Sequence, residues 1–343
     1  MKKHCILYFI LAAVLACCTI QEPAGDISLS KSDIEKIRVT VKDFVTDDNF
    51  VKSNVTIGNN GASFTWAEND TIGIFPNNGY QAAFPMTSGA GTKNAEFDGG
   101  GWALRASSQY MAYYPFEFNN RSAKSISISY SGQHQTGNAN TSHLGKYDYM
   151  AAAASTPENG NVTFEFKHLG VLVQWKVVMP SPATVTSLSI EPTGKELLKA
   201  GKIDLTTTSQ AIEATEYHPI QSILLSDIST TKSNEEITVY MMMPPVDLSG
   251  QDYYVHLSND LGQTATAKLV GQNFEAGKAY SISLEPSDFQ EGHITIADNT
   301  TIGAQAGVLG TIKEGGKVFM GSPAIPYKDF FRAYAVFKKG GVK

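Results

Sequence analysis

Cysteine is almost missing. The chain has three, Cys5, Cys17 and Cys18, all among its first eighteen residues. The rest therefore forms no internal disulfide and no cysteine metal site, and its stability has to come from packing. Basic charge is sparse as well: 27 Lys and Arg stand against 33 Asp and Glu, for a net charge of -6. No stretch gathers that charge into a phosphate-tracking stripe, which excludes nucleic acid as a partner. Beyond the N-terminus no run is apolar enough to cross a membrane as a helix.

Chemistry-bearing motifs are missing too. His134, His143, His168, His218, His256 and His293 are scattered, and none stands at metal-ligand spacing from a second His, Cys or carboxylate. His168 falls in an apolar strand and reads as a packing residue with one hydrogen bond. No Gly-x-Ser-x-Gly elbow occurs, and no nucleophile has an evident partner. "GGGW" (99–102) lacks the lysine and helix of a phosphate loop and reads as a turn. Asp47 and Asp48, like Glu235 and Glu236, alternate faces if they lie in strands, which makes poor acid–base pairs. No metal, no cofactor and no catalytic residue are expected.

What is present begins with an export signal. Lys2 and Lys3 precede the apolar run "CILYFILAAVLA" (5–16), which is short for a bilayer span and reads as a secretory signal. It ends in "VLACC", which resembles a bacterial lipobox. The resemblance implies that Cys17 is diacylated and becomes the mature N-terminus, with Cys18 as the alternative, and that the chain is anchored by lipid in a Gram-negative outer membrane. Residues 1–17 are then the signal peptide, and the polar stretch 18–36 is a flexible tether.

From Ile37 onward short apolar–polar alternations are separated by Gly, Asn and Pro clusters, the pattern of an all-β fold. "IRVTV" (37–41), "FTWAENDTIGIF" (64–75), "YMAYYPF" (110–116) and "ISISY" (126–130) are examples. The alanine run in "YDYMAAAASTPENG" (147–160) closes in turn chemistry and is taken as a domain boundary. Beyond it seven strand candidates follow, the first being "VTFEFKHLGVLVQWKVV" (162–178), with Val171, Val173 and Trp175 on one face. In "YMMMPP" (240–245) alternation buries at least one methionine. The expected architecture is two β-sandwich domains in series, 37–157 and 158–286.

The order "FTWAENDTIGIF", "YMAYYPF", "DYMAAAA", "FEFKHLGVLVQWKV" and "FEAGKAYSISL" (274–284) resembles the fimbrillin-like proteins of Gram-negative anaerobes, which include subunits and anchors of type V pili. The resemblance implies a non-enzymatic surface lipoprotein, a pilus subunit or pilus-associated adhesin. Its partners would be other pilus subunits, joined by donor-strand exchange, and a host or bacterial surface ligand. It also implies that a protease removes an N-terminal strand after a basic residue, opening a groove for β-augmentation by a neighbour. "KIRVTVKDF" (36–44) has the character of that strand, with Arg38 or Lys36 as the cleavage point.

The last fifty residues follow another rule. In "GHITIADNTTIGAQAGVLG" (292–310) an apolar residue recurs every six positions, at Ile296, Ile302 and Val308, which is a solenoid period. Residues 292–339 resemble the end of the UDP-3-O-acylglucosamine N-acyltransferase of lipid A synthesis. That resemblance implies a left-handed β-helix fragment and helical tail over 287–343, with His293 near an acyl-binding position. About one coil is present, and a lone coil has no neighbour on which to bury its isoleucines, so no acyl transfer is expected. The change of period implies a junction between Leu284 and Gly292 and impaired filament propagation.

Overall fold

Alternation sets the first strand. In β1 (Lys36–Val41) Ile37, Val39 and Val41 are buried while Lys36, Arg38 and Thr40 are exposed. The computed structural model describes residues 34, 36–46, 55–58, 61–99, 104–290, 297–303, 315–320 and 325–340. After β1 come β2 (Val45–Thr46), the hairpin of β3 (Val55–Gly58) and β4 (Gly61–Phe64), then β5 (Thr71–Pro76), β6 (Ala82–Ser88), β7 (Asn94–Phe97) and β8 (Tyr110–Tyr114). β9 (Ile126–Ser129) and β10 (Gln133–Thr136) leave this group, and β11 (Met150–Ser155) and β12 (Asn161–His168) return to it. Seven strands close a barrel in the order β1-β12-β11-β8-β5-β6-β7. β1 completes the ring, parallel to β12 and antiparallel to β7, so the first expected sandwich is joined at its edges into a barrel.

The remaining strands are β13 (Val171–Val178), β14 (Val185–Pro192), β15 (Leu197–Ile203), β16 (Ile212–His218), β17 (Gln221–Ser226), β18 (Glu236–Met243), β19 (Val246–Asp247), β20 (Asp252–Asn259), β21 (Thr264–Val270), β22 (Asn273–Phe274), β23 (Lys278–Leu284) and β24 (Phe289–Gln290). A six-stranded sheet runs β10-β17-β14-β20-β21-β24 and a four-stranded sheet runs β18-β13-β23-β2. Inward side chains of both, Trp175, Leu188, Val239, Val255 and Leu284 among them, share one core. The all-β fold class expected from the sequence is the one observed.

The strand pairing departs from the sequence reading at one place. Residues 162–178, expected as one strand, form β12 in the barrel and β13 in the four-stranded sheet. Leu169 and Gly170 carry the chain between them. A Cβ on Gly170 would stand 2.9 Å from the Tyr130 hydroxyl and 3.1 Å from Met242 Cε, so the crossing uses the one residue without a side chain. The change of sheet thus falls at 169–170. The alanine run that suggested the earlier seam is β11, a barrel strand whose Ala151 and Ala152 are fully buried because neighbours cover both faces.

A third core explains several continuous apolar runs. On β8, Tyr110, Ala112 and Tyr114 point into the barrel, while Met111 and Tyr113 point out of it into a second cluster. That cluster also takes Phe75 of β5, Ala151 of β11, Leu172 of β13, and Tyr240 and Met242 of β18. It lies where the barrel meets the four-stranded sheet, so strands there are buried on both faces and lose the two-residue period. "YMMM" is one such strand: Met241, Met242 and Met243 are all buried, more than alternation alone required. β9, paired with β15 and beyond it β16, ties the early chain to the later sheets.

Past β24 the tail forms β25 (Thr301–Ile302), β26 (Val318–Met320), β27 (Ile325–Pro326) and the helix α1 (Tyr327–Gly340). β25 and β26 pair in parallel, Thr301 opposite Val318. Cys17, Cys18, His293, Asp47 and Asp48 lie outside the described residues.

Candidate functional site

The feature with the clearest functional geometry is the slot that holds β1. Its floor is the barrel core, where Ile37, Val39 and Val41 meet Trp66, Phe97, Phe164 and Phe166. Its walls are two ladders: Lys36 to Val41 face Asn161 to Phe166 of β12, and Ile37 to Thr40 face Phe97 to Asn94 of β7. Each buried aliphatic contributes roughly 2 kcal/mol of apolar burial, and the ladders satisfy the backbone on both sides. Without β1, the barrel would show two unpaired edges flanking an apolar trough, the arrangement a donated strand requires.

The two basic residues singled out in the sequence both sit in this strand. Lys36 and Arg38 point to solvent and share Glu96 of β7, at 3.4 and 3.6 Å, and Arg38 also donates to Asn161 Oδ1 at 3.2 Å. These are exposed pairs of small energetic weight. Their side chains are accessible, but Lys36 is paired on β12 and Arg38 on both β12 and β7.

The chain leaves β1 through Lys42, Asp43 and Phe44, and His168 holds this connector. Its Nδ1 lies 2.8 Å from Asp148 Oδ1 and its Nε2 lies 2.9 Å from the Lys42 carbonyl oxygen. Phe44 stacks on the imidazole at 3.7 Å between ring centroids. His168 therefore makes two polar contacts and a stack, beyond the single hydrogen bond expected of a packing residue. The Lys42 carbonyl can only accept, so Nε2 donates to it, and Nδ1 faces the Asp148 carboxyl. The Asp148 and His168 side chains are 3% and 1% exposed, and Asp148 Oδ2 has no partner in the described residues. Asp70 lies close enough to feel Asp148. Burial raises its carboxyl above the usual carboxylate range and Asp148 adds to that, while the Ala67 amide and the Tyr114 hydroxyl act the other way.

A second arrangement controls a different edge. β18 ends the four-stranded sheet, yet its outward backbone groups are filled by side chains. Gln133 accepts from the Met242 amide at 2.8 Å and donates to the Met242 carbonyl at 2.7 Å. Gln135 bridges the Tyr240 amide and the Thr238 carbonyl, both at 2.8 Å, and Asn138 accepts from the Thr238 amide at 2.7 Å. Gln133 and Gln135 are fully buried. Side-chain amides thus stand where a neighbouring strand would, and this edge is closed to strand addition. At the other end of the sheet, β2 pairs with β23 only at Lys278 and Ala279.

Little else resembles a site. Among the described residues no group of three or more His, Cys, Asp or Glu could hold a metal ion. His256 spans three strands, from Glu191 at 3.0 Å to Thr266 at 3.0 Å, on the open face of a sheet. His134 meets Ser226, and His143 approaches the Tyr240 carbonyl. Lys42, Gln133 and Gln135 were not singled out in the sequence: a surface lysine and two glutamines in "QHQT" give no local signal, and their partners lie up to 126 residues away.

The profile of the fimbrillin-like family matches residues 27–304. The chain belongs to that family. The match continues past Gly292, and β24 is integral to the fold as well, pairing with β21 and placing Phe289 in the core. Solved structures similar to the chain include a candidate cell adhesion protein from Bacteroides ovatus, 19% identical over 75% of this chain and 95% of that one, with a TM-score of 0.49. A candidate cell adhesion protein from Bacteroides uniformis is 17% identical over 66% and 90%, with a TM-score of 0.46. The fimbrial anchor protein Mfa2 from Porphyromonas gingivalis is 8% identical over 67% and 79%, with a TM-score of 0.30. No curated protein matches.

Proposed function

We propose that this fimbrillin-like chain is a non-enzymatic cell-surface protein, a pilus subunit or pilus-associated adhesin, in which β1 is the element exchanged for a neighbour's strand. The observation that carries the reading is the position of β1. Among the described residues it is the strand nearest the chain's start, it closes the barrel, and it contributes three inward aliphatics between two edges that it alone pairs. The filled edge of β18 points the same way, since it leaves the β1 slot as the better acceptor. Export and a diacyl anchor at Cys17, with Cys18 as alternative, would place the molecule on the outer membrane. Intact mass of the mature protein reports that lipidation directly.

The test uses the absence of cysteine from the folded body. Thr40 and Glu165 face each other across β1 and β12 and both are exposed, so Thr40→Cys with Glu165→Cys can lock the strand. Processed protein is expected to associate with other subunits when the pair is reduced and to stay monomeric when it is oxidised. Equal association in both states would remove strand exchange at β1 from consideration.

One observation favours keeping the second resemblance in view. Thr301 and Val318 pair in parallel at a separation close to the roughly 18 residues of a hexapeptide-repeat coil, and a helix follows. We infer that 292–339 is a remnant of about one coil with a helical tail, without acyl transfer, because one coil has no stacked neighbour. Rescue of a lipid A conditional mutant by the full chain would reverse this assignment.

A further inference from the structure

We propose that the Lys42–Asp43 peptide bond is a latent processing site and that the Asp148–His168 pair is the catch that keeps it closed. The proposal rests on the strand-exchange reading and names the bond whose cutting would free the strand. A cut after Lys36 or Arg38 falls inside β1 and leaves Val39 to Val41 paired on β12. Lys42 is the basic residue just beyond the strand, so a cut after it severs all of β1 from β2. Its side chain is more than half exposed, with Glu165 of the barrel surface as ion-pair partner, and Asp43 is exposed and paired with Lys93. The residues that a protease would read are therefore presented to solvent.

The bond itself is not. Proteases bind their substrates extended and free over several residues, whereas here the Lys42 amide donates to the Phe166 carbonyl at 3.0 Å and Phe44 is buried under His168. The oxygen held by His168 is the carbonyl oxygen of the Lys42–Asp43 bond, the one a protease has to polarise. Asp148 orients the ring through Nδ1. Asp70, bonded to Tyr114, faces Asp148 from the β4–β5 loop; Tyr130 lies behind it; Lys42 and Asp43 flank the ring on the connector, and Lys167 on its own strand. Opening the catch releases the carbonyl and the Phe44 stack together. A lysine-specific endoprotease then adds water across the amide: the C–N bond breaks, the hydroxyl joins the Lys42 carbonyl carbon, and the proton goes to the new amine of Asp43.

The experiment treats the full chain with a lysine-specific endoprotease and follows the fragment beginning at Asp43 by mass spectrometry. Wild type is compared with Asp148→Asn, His168→Gln and Val255→Ala, the last a buried residue of the second core that controls for general loss of stability. Cutting through a transient opening tracks the open population, so loss of one charge-assisted hydrogen bond is expected to speed this cut about tenfold or more in the first two variants, and not in Val255→Ala. Lys42→Gln, an exposed change, is expected to fold normally and to lose the fragment. The proposal is overturned if wild type is cut there as fast as the catch variants, if Val255→Ala speeds the cut equally, or if the first cut falls after Lys36. Size-exclusion chromatography of the clipped protein separates this from the reading beneath it. Should the cut be catch-dependent while the freed strand never leaves and no subunit binds, strand exchange fails and the catch stands.

Discussion

Gln135 presents both ends of its side-chain amide to the edge strand β18, accepting from the Tyr240 N–H and donating to the Thr238 carbonyl at the same 2.8 Å. A strand would do the same with two residues. Replacing Gln135 by Leu keeps the volume and removes both bonds, together with the one Gln135 donates to the Gly137 carbonyl at 3.0 Å, leaving the Tyr240 amide buried without its acceptor. The expected loss is about 2 kcal/mol, read as a lower denaturation midpoint at unchanged m-value, together with greater self-association as the edge opens.

Two tyrosines of the shared core are expected to respond oppositely to removal of the hydroxyl. Tyr130 is fully buried and its oxygen has no partner among the described residues, so Tyr130→Phe is expected to be neutral or to gain up to about 1 kcal/mol. Tyr113 donates to Gln81 Oε1 at 2.6 Å, lies 3.1 Å from the Glu117 carbonyl, and accepts from the Glu117 amide. Tyr113→Phe is expected to cost about 1–2 kcal/mol, because the Glu117 amide loses its acceptor. Chemical denaturation of the two variants side by side gives the comparison.

Gly170 marks the crossing between the barrel and the second sheet. Alanine there meets the Tyr130 hydroxyl and Met242 at contact distances well inside ordinary packing. The expected cost is about 1–3 kcal/mol of overpacking. Combining Gly170→Ala with Tyr130→Phe relieves the closer contact, so the pair is expected to lose less than the sum of the single changes.

Alkaline pH tests the buried phenols. Burial pushes Tyr114, Tyr130 and Tyr253 above the ordinary tyrosine range, and the Asp70 charge adds to it at Tyr114. The unfolded chain gives up these protons near pH ~10 while the folded chain keeps them. Their contribution is therefore fully present below that pH and is lost as the pH rises toward the folded values, by about 1.4 kcal/mol per pH unit for each group. Tyrosinate absorbance for these three is expected to appear together with loss of the β-sheet circular dichroism signal. Smooth titration with intact structure would contradict it.

How far the sequence carried the fold depends on whether a strand has one buried face or two. β1 was legible residue by residue because only its inner face is apolar. β11, whose Ala151 and Ala152 are covered from both sides while Ala153 and Ala154 are exposed, was not, since an unbroken alanine run carries no period. The crossing at Gly170 was hidden because the apolar character of 162–178 continues through it while the sheet changes. At the candidate site, Lys36 and Arg38 were visible by residue type. The clamp on the Lys42 carbonyl was not, as it joins residues 126 positions apart through a backbone atom that no side-chain pattern can report.

The parallel pairing of β1 with β12 has a mechanical consequence. Tension applied to the chain ahead of Lys36 and directed along the strand axis loads the rungs of both ladders in shear, so they must yield as a group instead of tearing one after another. A strand seated in this way would thereby resist being dragged out by flow, provided the force arrives lengthwise.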